Sequence, residues 1–178
     1  HKKNDIGTEI ILKGGKLIGV NECGTKRGTQ VEVRSLFYNI PARKKFLKSD
    51  SVEFSKIEKI VLTAAISTPN IAYSFHHGKR LVIKIGKLNC LENRIHELFG
   101  SEFAEQLLNL EQGKDKEIRL SGFVSRPGIK FNQRKQQYLF VNGRSVKSTA
   151  INIAVNEAYS GLIEKGYQPV IFLFIDIN

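Results

Sequence analysis

The stretch Pro169–Ile177, PVIFLFIDI, is the most consistently apolar segment of the chain. Seven of its nine residues are apolar, and it breaks only at the acid Asp176 and the leading proline. An alternating strand buries one face. An unbroken run of this kind predicts a central strand covered on both faces. Such a strand needs neighbours on each side and layers above and below, which the segments upstream must supply.

The nearest candidate is QYLFVNGRSVK, residues 137–147. It reads as a strand, an Asn142-Gly143 turn and a short return. Ile151, Ala154, Val155, Ala158 and Leu162 follow at helical spacing, with Gly166 near the expected end. KEIRLSGFVSRP predicts another strand ending at Pro127, and GIKFNQRKQ a basic connector. Further upstream, CLENRIHELFG predicts a short amphipathic helix. SEFAEQLLNL predicts a second helix, capped by Ser101, that runs into a strand. IAYSFHHGKRLVIKIG reads as a hairpin around Gly78. This half of the chain is therefore expected to be an α/β sandwich, a sheet with helices packed on one side.

The first third reads differently. TEIILKGGKLIGVNEC is a hairpin about Gly14-Gly15, and GTKRG a flexible basic loop. In TQVEVRSLF, the alternation of Val31 and Val33 predicts a half-buried strand with Leu36 and Phe37 anchoring its end in the core. Pro41 fixes a turn, and Phe46 and Leu47 are expected to staple the next helix. That helix has Asp50 and Glu53 as a capping box, and Phe54, Ile57, Val61 and Ala65 along its apolar face. It ends at STPN, because the residue before Pro69 is driven out of the α region.

The chain has 178 residues, 41% of them hydrophobic, and a net charge of +11. That composition excludes global disorder. No apolar run approaches the roughly 20 residues of a membrane helix, and nothing at the start resembles a signal peptide. There is no methionine, and the last strand stops without a tail, which suggests an interior piece of a longer polypeptide. Cys23 and Cys90 have no CxxC partner, and the four histidines show no zinc-ligand spacing. Two lone cysteines point to a reducing compartment. No GxSxG elbow, HExxH or GxxxxGK[ST] loop is present, and no carboxylate pair is spaced for acid–base work.

Two features carry candidate chemistry. Gly28 permits close backbone approach, and Thr29 adds a hydroxyl at a strand start, which suits the edge of a ligand pocket. Loop punctuation explains the same pair. Arg134, Lys135, Arg144 and Lys147, with Lys130 nearby, cluster around one strand and its turn, where phosphate contacts can be held at fixed angles. Charges that discourage sheet aggregation account for them equally well. A general lysine bias would account for much of the net charge.

In order along the chain, GTQVEVRSLFYNIPARKKFLKS and YLFVNGRSVK followed by a helix and PVIFLFIDI resemble the two blocks that mark the MutL family of DNA mismatch repair proteins. The resemblance implies an α+β or α/β two-layer architecture. Residues 1–68 would be the C-terminal part of a GHKL-type ATPase module. Residues 69–178 would be a ribosomal-protein-like transducer domain, truncated at its end. It implies that Thr29, with Gly28, belongs to the late ATP-pocket motif at the adenine end. The catalytic Glu, the Mg-binding Asn and the glycine-rich lid are expected before His1, and the phosphate-sensing lysine after Asn178.

ATP and Mg2+ would then serve the longer protein, a slow ATPase, while this chain alone is expected to be inactive. The implied partners are DNA, a mismatch-recognition protein of the MutS type, a downstream endonuclease or helicase, and a second copy in an ATP-dependent homodimer, with no membrane. The implied setting is the bacterial cytoplasm at the nucleoid, or the nucleus in a eukaryote. The alternatives are an interaction module that does not touch DNA and a related type II topoisomerase subunit.

Overall fold

The computed structural model describes residues 6–113, 117–129, 136–164 and 166–178. The chain divides into two compact units, His1–Glu53 and Phe54–Asn178. Helix α2, Asp50–Ser67, begins in the first and runs through the start of the second.

In the first unit, β1 (Ile6–Lys13) and β2 (Lys16–Gly24) form the expected antiparallel hairpin about Gly14-Gly15. The expected strand at TQVEVRSLF does not form a ladder. Within it the Arg34 guanidinium grips the Glu32 carboxylate at 2.6 and 3.0 Å. That pairing holds the Glu32 carboxyl below its usual range. Val31 and Val33 are 81% and 71% exposed. The expected half-buried strand is therefore absent: a strand requires a partner, and none of the described residues supplies one.

Two turns follow, closed by Tyr38 N–H to Ser35 C=O and Ile40 N–H to Phe37 C=O. Leu36 is exposed rather than an anchor. Pro41 opens the short helix α1 (Pro41–Lys45) at its first position, where its missing N–H is not needed. Phe46, just beyond this helix, is 80% exposed and Leu47 is also exposed, so neither staples α2 within the unit. Asp50 is the first residue of α2 rather than its cap, and the Glu53 carboxylate accepts from the Lys48 N–H.

The second unit contains a two-stranded hairpin, β3 (Tyr73–His77) with β4 (Arg80–Ile85). Helices α3 (Leu91–Phe99) and α4 (Ser101–Glu105) follow. Gly100, not Ser101, precedes α4 as its cap. The remaining strands are β5 (Leu107–Gln112), β6 (Ile118–Ser125), β7 (Gln137–Val141), β8 (Arg144–Ser145) and β9 (Ile171–Ile177). They form one sheet in the order β5-β6-β9-β7-β8. All pairs are antiparallel except β7–β9. A parallel pair needs a crossover, and α5 (Thr149–Ala158) lies in it. This helix ends a turn earlier than the apolar spacing predicts, and Leu162 lies beyond it.

β9 is the middle strand, as its unbroken apolar run predicts. Tyr138 lies opposite Phe172 and Phe140 opposite Phe174, with ring centroids 5.2 and 4.5 Å apart. Phe99, Phe103, Leu98, Ile95 and Ile66 pack over this aromatic face. Burial pushes the Tyr138 phenol above its ordinary pKa. Leu139, Ile171 and Leu173, on the opposite face, are buried too. Each such buried side chain contributes about 1.5–3 kcal/mol, so the β7–β9 pair is the anchor of the unit. A second cluster, Ala65, Ile83 and Ile85, joins α2 to the β3–β4 hairpin.

Candidate nucleic-acid interface

The β7–β8 turn is where sequence and geometry converge. Asn142 and Gly143 both have positive φ, +46° and +73°. That is the backbone of a tight hairpin turn, tolerated by Asn and favoured by Gly. Asn142 does more than turn the chain. Its N–H donates to Ile175 C=O at 2.9 Å. Its side-chain Oδ1 accepts from Ile177 N–H at 2.8 Å, and its Nδ2 donates to Ile177 C=O at 3.0 Å. The amide thus continues the β7–β9 ladder for one more residue and fastens the turn to the end of the central strand.

Arg144 leaves this turn opposite Val141, and Ser145 pairs with Phe140. Val146 N–H donates to Leu139 C=O, holding the return strand down. Lys147 follows, and Ser148 then caps α5 by accepting from Ile151 N–H. Arg144 and Lys147 are both exposed. They sit on an edge strand and its exit, anchored through the ladder to the most buried strand of the molecule. The sequence signal for the turn was the Asn-Gly dipeptide. The fastening of Asn142 to Ile177, 35 residues away, had no local signal.

Lys130, Arg134 and Lys135 lie outside the described residues. Gly28 and Thr29 lie in an exposed loop of the first unit. Gly28 has φ +143°, and a β-carbon there would meet nothing within 4 Å. The two residues supply neither a cation for phosphates nor an anion for Mg2+. Among the described residues, no group of three or more His, Cys, Asp or Glu could hold a metal ion, and no helix is long and apolar enough to cross a membrane.

Sequence reading missed Arg94. It is fully buried, and its guanidinium donates to the carbonyls of Pro69, Ile71 and Gly86 at 2.8–2.9 Å and to Glu97 at 2.6 Å. Glu97 also accepts from Gly86 N–H at 2.8 Å. This clamp joins the end of α2, the start of the β3–β4 hairpin and α3.

Asn142→Ala is expected to destabilise the chain by about 1–2 kcal/mol, through two lost hydrogen bonds and a strained positive φ. Asn142→Gly should cost less, because glycine relieves the strain. Urea midpoints of the two variants test the order.

The fold and the sequence match a class of repair proteins. Residues 95–178 match the family described as "DNA mismatch repair protein, C-terminal domain". Among curated proteins, the DNA mismatch repair protein MutL of Opitutus terrae is 38% identical over 174 residues, covering 98% of this chain and 28% of that protein. MutL of Halothermothrix orenii is 36% identical, covering 94% of this chain and 26% of its own length. The Aquifex aeolicus MutL ATPase domain complexed with ADP superposes with a TM-score of 0.73 at 27% identity, covering 98% of this chain and 63% of that one. The N-terminal domain of a DNA repair protein superposes with a TM-score of 0.80 at 21% identity, a likeness of fold. The chain belongs to the MutL family of DNA mismatch repair proteins. It spans about a quarter of the length of the curated relatives it matches.

Proposed function

We propose that the chain works in DNA mismatch repair as part of an ATP-dependent matchmaker, and that its second unit contacts duplex DNA through the β7–β8 edge. The observation that carries this reading is the cationic turn fastened to β9 by three hydrogen bonds, two donated by Asn142 and one accepted by it. A phosphate contact is strongest where the cation is held in place before the partner arrives. Arg144 and Lys147 would make the contacts, and Lys130, Arg134 and Lys135, outside the described residues, are further candidates from sequence alone.

Residues 1–68 belong, on this reading, to a nucleotide-binding module and residues 69–178 to a transducer. Exposed Val31, Val33 and Phe46 support a first unit that packs against further parts of such a module. Gly28 and Thr29 would border the adenine end of bound ATP. ATP with Mg2+ would supply the binding energy for dimer closure. The partners are a second copy, a MutS-type mismatch sensor and a downstream endonuclease or helicase, working in the bacterial cytoplasm at the nucleoid.

The test is fluorescence anisotropy with a labelled duplex at two salt concentrations. The unsubstituted chain should bind, with affinity falling steeply as salt rises. Arg144→Glu with Lys147→Glu should weaken binding about tenfold or more across unrelated sequences, because phosphate contacts carry no sequence information. Unchanged affinity in that variant would leave the interaction-module reading in its place.

A further inference from the structure

The five-stranded sheet ends on β5, which among the described residues has a neighbour, β6, on one side only. A free edge offers backbone donors and acceptors to another chain, and proteins blunt such edges with lysine, proline or a bulge. β5, LLNLEQ, has none of these, and its residues keep an unbroken register with β6. Arg126 N–H donates to Gln106 C=O, so by alternation Leu108 and Leu110 turn their backbone groups toward β6. Those of Asn109 turn outward. Leu108 and Asn109 are both exposed.

A cavity of about 380 Å3 adjoins this edge. Ligand pockets usually run to roughly 300–1,000 Å3. Ile66 and Leu91 wall it on the helix side, and Phe123 and Phe174 on the sheet side. The β5–β6 register sets Asn109 opposite Phe123 and Glu111 opposite Ser121, and all four line the cavity. A strand added to the edge would lie roughly 4.8 Å from β5. Its side chains on this face would fall beside Asn109 and Glu111, at the cavity's margin.

Charge adds a preference. The whole chain carries +11, yet the charged residues lining the cavity are Glu92, Glu111 and Arg119. Arg119 lies 3.3 Å from Glu111. That leaves Glu92, exposed at the start of α3 and in no ion pair among the described residues. Two copies of so basic a chain repel each other, which favours a different protein as the occupant.

We infer that the β5 edge and this cavity bind an extended segment of another protein, which adds a strand to β5. The segment carries an aromatic or large aliphatic side chain for the cavity. Two residues away, on the same face, it carries a lysine or arginine for Glu92. Strand addition takes its affinity from the main chain and its specificity from alternate side chains. This surface is independent of the DNA contact, which uses the opposite edge of the sheet.

A display library of random nine-residue peptides, selected on the 178-residue chain, tests the inference. The selected peptides should pair an aromatic or large aliphatic residue with Lys or Arg two positions away. Asn109→Pro blocks the edge and spares the β5–β6 ladder, because the lost N–H points outward; it should weaken the best peptide about tenfold or more. Glu92→Lys, at an exposed position, should weaken it about threefold to tenfold, and a peptide with Glu in place of its basic residue should recover the loss. Circular dichroism confirms that each variant is folded. A selection that yields no such pattern overturns the inference, as do peptides that bind both variants as tightly as the unsubstituted chain. A dimer of the chain that sedimentation detects and Asn109→Pro dissolves also overturns it, because the edge then serves a second copy.

Discussion

Replacing Arg94 by methionine is expected to destabilise the second unit by about 3–5 kcal/mol, because the fully buried guanidinium holds three carbonyls and the Glu97 carboxylate at once. The side chain is 0% exposed, and Glu97, its partner, is 33% exposed. Methionine fills much of the same space, so packing loss is a minor part of the effect. The main cost is polar. The carbonyls of Pro69, Ile71 and Gly86 lose their side-chain donors together. A hydrogen bond from a charged donor contributes about 1.5–3 kcal/mol, and Pro69 C=O keeps the Leu88 N–H as a second donor. Arg94→Lys should recover only part of the loss, because one ammonium cannot reach in two directions as the planar guanidinium does. Urea denaturation should show the midpoint falling with little change in slope. A shift below about 1 kcal/mol would mean that water replaces the guanidinium at this junction.

Gly122→Ala should be still more damaging. Gly122 lies in β6, between Leu110 of β5 and Leu173 of β9. Its φ is +131°, and an added β-carbon would fall 1.8 Å from the backbone oxygen of Phe172. The obstruction is backbone in the central strand, so no rotamer change relieves it. The loss should exceed about 4 kcal/mol, a magnitude reserved for a few structural mechanisms. Gly86→Ala is the matched control, since its β-carbon would meet only the Glu97 side chain at 3.5 Å, an ordinary contact. A folded Gly122→Ala chain with a near-normal urea midpoint would show that β6 can shift away from β9.

Patterns that belong to one element were legible in the sequence. The unbroken run of β9 announced its central place, and Asn142-Gly143 announced the turn that presents Arg144. The two early hairpins were legible for the same reason, apolar strands broken by glycine. What failed depended on distant partners. Val31 and Val33 alternate as strand residues do, but a ladder depends on a second strand that no local pattern specifies. Arg94 read as one more charge on the polar side of an amphipathic helix. Its burial arises from carbonyls up to 25 residues away that converge on α3. The site divides in the same way. The cations and the turn could be read locally, whereas the amide pairing of Asn142 with Ile177 could not.

Amide chemical shifts recorded during a duplex titration locate the contact. The largest shifts should include Asn142–Lys147 and the Ile177 amide fastened to Asn142, and should fade as salt is raised. Duplex binding that leaves Asn142–Lys147 and Ile177 unmoved would contradict a contact at the β7–β8 edge.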